Sequence, residues 1–501
     1  MQSHERLSVA QLIQRHRSER LFARAPLEES GLRALSFEEL ATATHFVAHY
    51  YQQLGLEPGN RVGLLVAQPI DFVIHFLGGI SAGYWMAPLD PTLDYEALPS
   101  VDGHLAALEL TAVMADRPRP PTSQLPWHVA EIAHREEGLA SNNGGILLSS
   151  SGTTGTPKTM LLSQDQIVAT ATNISRHNAL TSDDIGLNPL PLWHINAEVV
   201  AVLASVVAGS QLVLQRRFKR TDFWKLVRDV RATWINAVPA IVSHLSTLRD
   251  GEDVPHGVRF IRSASEPLPA EIIRDFEATI GIPIIESYGM TEAASQICAN
   301  PLDGVRKAGS VGLPIGVELQ CLPFESDEVP SSDEAPRVGH IAIRGPSVIS
   351  HYATDAHAHR FTDDGWLLTG DLGYLDEDGY VFLVGRIDDV INRSGEKIYP
   401  REIEEVILRV HGVVASAVIG LPHPTLGAVP LAFVELDATT DEQRRVICRE
   451  VAHVLEGSLG RSKRPTAIRV VDAFARHATG KILRQPLRQA DVNFLHEELL
   501  S

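Results

Sequence analysis

The sequence predicts an α/β protein built in more than one unit, with layered sheets in a large first part and a small α+β part after it. Three observations carry this expectation. Short apolar runs alternate with longer helical patterns along the chain, as α/β architectures require. At 501 residues and 54.7 kDa, the chain exceeds one compact domain at roughly 150 residues per unit. Its residues are 44% hydrophobic and 21% charged, ordinary values for a chain that buries a large core.

The elements follow in order. Arg61–Val66 (RVGLLV) reads as a buried strand, residues 71–83 as the helix after it, and MAPLD as the next strand and loop. The rhythm recurs where GSQLVL precedes FWKLVRDVRA, and where VRFIRSAS precedes LPAEIIRDFEATIG. Each is a strand, a turn carrying Gly, Pro or Ser, and a crossover helix. Residues 323–338 are polar and proline-rich and read as an exposed turn. GHIAIRG and GWLLTGDLGYLDEDGYVFLVGR then read as antiparallel hairpins with Asp-Gly turns. From Arg401 a helix (EIEEVILRV), two strands (ASAVIGL, LAFVEL), a second helix (DEQRRVICREVAHVL) and a last strand (AIRVVDAF) form a smaller unit. The boundary is expected at Arg386–Asp388, dividing the chain into residues 1–386 and 387–501.

Composition narrows the function classes. With 44 Lys+Arg against 62 Asp+Glu, the net charge of −18 argues against nucleic acid as a partner. Cys298, Cys321 and Cys448 form no CxxC pair, which suits a reducing cytosol rather than a disulfide framework or structural zinc. The first twenty residues lack an apolar signal core, and no apolar window is long enough to span a membrane. A cytoplasmic protein is the expectation.

Ser149–Lys158 (SSSGTTGTPK) follows the apolar run GGILLS. A strand running into such a loop suits polyphosphate: glycines let backbone amides turn inward, hydroxyls add donors, and the lysine answers the charge. Ser150, Ser151, Gly152, Thr153, Thr154, Gly155 and Lys158 are the candidate phosphate ligands. The loop does not fit the Walker A spacing. Further along stand YGMTE (Tyr288–Glu292), TGDL (Thr369–Leu372), GRID (Gly385–Asp388) and TGKILR (Thr479–Arg484).

In this order the motifs resemble the core motifs of the adenylate-forming (ANL) superfamily, in its acyl-CoA synthetase, AMP-dependent synthetase and ligase branch. The resemblance runs from LSFEEL (Leu35–Leu40) to KILR (Lys481–Arg484). It implies a large N-terminal domain of layered α/β sheets with a β-barrel-like subdomain, and a small mobile C-terminal domain. It implies ATP, Mg²⁺ and coenzyme A as cofactors, and a carboxylate activated as acyl-AMP before transfer to a thiol.

The same resemblance assigns roles. Tyr288 would lie against adenine, Thr291 would bond the α-phosphate, and Glu292 would hold Mg²⁺, which favours carboxylate and phosphate oxygens. Asp371 would accept the ribose hydroxyls, and Arg386 would reach ribose or phosphate. Lys481 would bridge carboxylate and phosphate in the first half-reaction. Gly395 would let a pantetheine arm pass close to the backbone, and Asp388 would be the hinge between domains. His194, in LPLWHINAE, would gate or line the acyl pocket, with Asn196, Asn236 and Gln296 beside it.

Glu198 lies four residues after His194, on the same face if AEVVAVLASVVAG is a regular helix. It is named as a reader of a cationic or hydroxyl-bearing acyl group; an ion pair with His194 and a water-facing carboxylate are the competing placements. Thr159 and the stretch Ser263–Leu268 (SASEPL) depart from the usual pattern, Glu266 above all. A short or polar acid is expected as the partner, with coenzyme A, or else a carrier-protein thiol, as acceptor. A homodimer is an open assembly. A stand-alone adenylation enzyme and a non-catalytic nucleotide binder are the competing functions.

Overall fold

Each predicted strand–turn–helix unit has a local cause. In the computed structural model, Arg61–Leu65 is a strand buried from its second residue onward, and Pro69–Ser81 is a helix opened by a proline in its first turn. LSFEEL marks a helix start: Ser36 accepts from Glu39 N–H, Glu39 returns the bond, and the helix Phe37–Gln53 follows. Ser163 and Gln166 do the same for Gln164–His177. The structure describes residues 7–26, 31–92, 108–116, 128–131, 144–150, 158–248, 254–323, 338–438, 440–476, 481–489 and 498–499. The expected turn at 323–338 falls almost wholly outside them.

Four sheets result. A six-stranded sheet is centred on Arg61–Leu65 and Trp85–Pro88 and carries the hairpin Gly145–Ser150/Lys158–Ser163 at one edge. A nine-stranded sheet has Gln211–Leu214, Ile185–Asn188, Trp234–Ala237, Phe260–Ser263 and Ile284–Met290 side by side and parallel. Among the helices packed against these sheets, Pro69–Ser81 is buried on nearly all its faces. Glu318–Pro323, Gly339–Arg344, Leu367–Leu375 and Val381–Arg386 form a four-stranded antiparallel sheet. Beyond it, a six-stranded sheet with the helices Pro400–Ile407 and Asp441–Ser458 makes the C-terminal part.

The main hydrophobic cluster runs from Val9 to Val381, and a separate one starts at Ile391. Between them lie the rest of the strand Val381–Arg386 and the short turn Ile387–Asp389, which has no buried residue. Among the described residues no helix is long and apolar enough to cross a membrane.

The segment after His194 is not the expected regular helix. Asn196–Leu203 winds as a π-helix and becomes α-helical only at Ala204–Ala208. Its i→i+5 bonding shifts side chains off the four-residue face assumed for His194 and Glu198.

Candidate functional site

Parallel strands deliver their carboxyl ends to one rim of the sheet, where open α/β sheets take their ligands. Ile185–Asn188 ends in Asn188, Trp234–Ala237 supplies Asn236, and Phe260–Ser263 supplies Arg262 directly opposite Asn236 in register. Gly186 allows this close packing, because a Cβ there would lie 2.6 Å from the Trp234 ring. The side chains form one network. Asn236 Nδ2 donates to Asn188 Oδ1 at 2.9 Å and to Asn196 Oδ1 at 3.1 Å. Arg262 donates from Nε to Gln296 Oε1 at 3.1 Å, and from Nη1 to Asn196 Oδ1 at 3.3 Å and Asn236 Oδ1 at 3.4 Å.

Arg262 is 1% exposed. All its partners are neutral amides, and burial brings the guanidinium down to about 9. Gln296 Nε2 is a buried donor with no acceptor among the described residues. A buried cation without a counter-ion, beside a spare donor, is a receptor for an anion. Three of the expected pocket residues (Asn196, Asn236 and Gln296) therefore meet here. Arg262 and Asn188 were not anticipated. The signal was present in VRFIRSAS, where Arg262, the second of two arginines, falls inside a run that otherwise reads as a buried strand.

A second cluster gathers across the antiparallel sheet. Tyr288 Oη donates to Asp371 Oδ2 at 2.5 Å, and Arg386 Nη1 donates to Asp371 Oδ1 at 3.0 Å. Gly289 is obligatory between Tyr288 and Thr291, since a Cβ would fall 1.6 Å from the Ser295 carbonyl oxygen. Glu292, in the 3-10 turn Thr291–Ala293, accepts from Tyr352 Oη at 2.9 Å and lies 3.8 Å from Arg360 Nη1. Arg360, also unanticipated, donates to the carbonyls of Leu368 and Thr369, bracing the TGDL strand.

Lys158 opens its strand within reach of these groups. Burial, then the neighbouring Arg360, holds its ammonium below the usual lysine value, while Glu292 and Asp388 act in the opposite direction. Lys158, Arg360 and Arg386 thus face one region together with Glu292, Asp371 and Asp388. Three cations gathered in this way can hold phosphate, and Glu292 is a hard oxygen donor of the kind Mg²⁺ takes beside phosphate oxygens.

The other expected residues fall as follows. Ser151, Gly152, Thr153, Thr154 and Gly155 lie outside the described residues, as does the side chain of Ser150, whose backbone pairs with Lys158 across the hairpin. Thr159 is buried, and its carbonyl accepts from Ala353 N–H at 2.9 Å. Gly395, at φ 92°, is the turn glycine of the hairpin Ile391–Arg393/Glu396–Ile398, with open space around it. His194 is half-buried at the head of the π-helix, where its carbonyl accepts from Ala197 and Glu198 N–H.

Glu198 is a correction. It is 0% exposed, so it does not face water. Neither carboxylate oxygen has a hydrogen-bond partner among the described residues, so it does not pair with His194, and no bond of the Arg262 network reaches it. Burial raises its pKa well above the usual glutamate value, favouring the neutral acid. Lys481 is exposed, and its neighbour Ile482 donates its backbone N–H to Glu266 Oε1 at 3.3 Å.

Comparison with known proteins agrees with this geometry. A family model described as AMP-binding enzyme matches residues 13–101 and 98–353, and one described as AMP-binding enzyme C-terminal domain matches 402–481. A sulfoacetate–CoA ligase of Cupriavidus necator is 36% identical over 480 residues, covering 91% of this chain and 92% of its own. An oxalate–CoA ligase of Arabidopsis thaliana is 33% identical, covering 87% and 89%. The crystal structure of ATP-bound MatB from Rhodopseudomonas palustris superposes with a TM-score of 0.79 at 28% identity, covering 96% of this chain and 98% of that one.

Proposed function

The chain belongs to the AMP-binding enzyme family, and from that premise we propose that its substrate is a small acid carrying a second anionic group, read by Arg262. The protein is an AMP-forming acid–CoA ligase of the adenylate-forming superfamily. A carboxylate oxygen attacks the α-phosphorus of ATP and pyrophosphate leaves. The coenzyme A sulfur then attacks the acyl carbon and AMP leaves.

One observation carries the reading of the acid: Arg262, 1% exposed, has only neutral amide partners. Leaving such a charge unpaired is costly, and a substrate anion would remove the cost. The relatives' named acids fit, since sulfoacetate pairs a carboxylate with a sulfonate, and oxalate has two carboxylates. A compact polar network also leaves no reason for a long apolar tunnel.

The rest of the site takes roles to match. Tyr288, Asp371 and Arg386 hold the nucleoside, Asp371 through its two oxygens. Lys158, Arg360 and Thr291 face the phosphates; Ser150 and residues 151–155 are assigned to the same role by their motif alone. Glu292 would hold Mg²⁺, whose charge offsets that of the polyphosphate when bound. Lys481 answers the charge developing between carboxylate and phosphate, and Gly395 borders the path of the pantetheine arm. His194 stands at the pocket mouth. The division at residues 386/387, the hinge at Asp388 and a cytoplasmic setting belong to the same reading; the exposed turn between two hydrophobic clusters supports the first two.

The test is a panel of acids assayed for pyrophosphate release and thioester formation. Sulfoacetate, oxalate, malonate or succinate should exceed acetate, propionate and butyrate in kcat/KM by about a hundredfold or more, the equivalent of one buried charge pair. Preference for the plain acids would overturn the proposal.

A further inference from the structure

The turn Ser263–Leu268 connects the two halves of the molecule. Ser265 sits there at φ 80°, a left-handed conformation that serine adopts only at a cost. The kink lies directly before Glu266. Glu266 Oε1 accepts the backbone N–H of Ile482, 216 residues away in sequence.

Burial raises the carboxyl's pKa, while the Ile482 N–H and the cations Arg476, Lys481 and Arg484 act to lower it. Three cations of the C-terminal side thus act on it, two of them also paired there, Arg484 with Glu404 and Arg476 with Glu435. The other end of that segment is tied to its own unit. Arg484 donates to the Val418 carbonyl at 2.6 Å and pairs with Glu404 at 2.8 Å. Ile482, bridged to Arg476 in the small unit, therefore also reaches one carboxylate of the large unit beside Lys481. A single side-chain contact is easily made and easily released.

We propose that Glu266 is a positioning residue, a latch that holds the Lys481 segment over the site during adenylate formation and lets go before thioester formation. This rests on the reading of Lys481 as the lysine of the first half-reaction. Glu266 acts on no reacting atom; it fixes where the Lys481 ammonium can reach. Only the step that uses Lys481 should feel its loss.

The test measures both half-reactions in the full-length enzyme: single-turnover acyl-AMP formation, and thioester formation from pre-made acyl-AMP and coenzyme A. Glu266→Ala should slow the first by roughly ten- to a hundredfold, the worth of one charge-assisted hydrogen bond. It should leave KM for ATP and for the acid, and the second half-reaction, unchanged. Glu266→Gln keeps the acceptor for Ile482 but loses the charge, and should fall between. Lys481→Ala runs beside them. If Lys481→Ala spares adenylation, the underlying reading of Lys481 fails. If Lys481→Ala abolishes adenylation while Glu266→Ala does not slow it, or slows both half-reactions equally, the latch is wrong.

Discussion

Arg262→Gln separates acid recognition from stability. The wild-type guanidinium is buried and brought down to about 9 from 12.5. At about 1.36 kcal/mol per pH unit this is a cost on the order of 5 kcal/mol to the ligand-free fold. The sign follows from proton binding: the folded state releases its proton first, so the cost is fully present below pH 9 and fades as pH rises towards 12.5. Three hydrogen bonds to amide oxygens, at about 1.5–3 kcal/mol each for a charged donor, offset roughly the whole of it. Glutamine keeps an amide among the asparagines and removes the charge, so the ligand-free variant should melt no lower than the wild type. Binding should move the other way. With the cation gone, kcat/KM for a dianionic acid should fall by about 3–5 kcal/mol, roughly two to three and a half powers of ten. The value for acetate or propionate should hold or rise. A melting curve without ligand and initial rates of AMP release over both acid classes decide the matter. Equal losses on both classes, or a melting temperature several degrees lower, would refute the reasoning.

Four other outcomes are expected. Lys481→Ala should reduce acyl-AMP formation by roughly 3–4 kcal/mol of transition-state stabilisation or more while sparing thioester formation from pre-made adenylate, which rapid-quench assays of each step can read. Asp388→Pro, which fixes φ near −65° in the turn Ile387–Asp389, should leave adenylation running and collapse thioesterification; unchanged rates in both would remove the hinge from this position. Asp371→Asn should raise KM for ATP roughly ten- to a hundredfold, by weakening bonds to a charged acceptor, with KM for the acid unmoved. Glu198→Gln should leave KM for the acid unchanged. The buried acid stays protonated where the unfolded chain ionises, so wild-type stability falls as pH rises above about 4.5. The variant should therefore melt higher than the wild type at pH 8, with the gap closing near pH 4.

Much of the molecule could be read in advance, for identifiable reasons. Strand–turn–helix units such as Arg61–Leu65 with Pro69–Ser81 declare themselves by apolar runs and turn residues, which act locally. Tyr288, Asp371 and Arg386 were found because their motifs are contiguous, and the structure brings them into hydrogen-bond contact. Arg262 and Arg360 belong to no motif, and their importance comes from what surrounds them: neutral amides for one, Glu292 and strand carbonyls for the other. The shared face expected for His194 and Glu198 presumed an α-helix, and the π-helix Asn196–Leu203 follows a different period. Periodicity gives which residues share a face only when the winding is known.

The register that sets Asn236 opposite Arg262 has a consequence for how such an enzyme diversifies. On the proposed reading, the side chains facing the acid rise from neighbouring strands of one sheet and the head of one helix, whereas those facing the nucleotide come from the strand end at Tyr288, the hairpin of Lys158 and the antiparallel sheet of Asp371 and Arg386. Changing the acid accepted is therefore a matter of exchanging a few residues along one rim, at positions whose backbone is already fixed by sheet pairing. Such exchanges leave the energy-supplying half of the reaction intact. A library confined to residues 188, 196, 236, 262 and 296 would search new acids without having to rediscover how to use ATP.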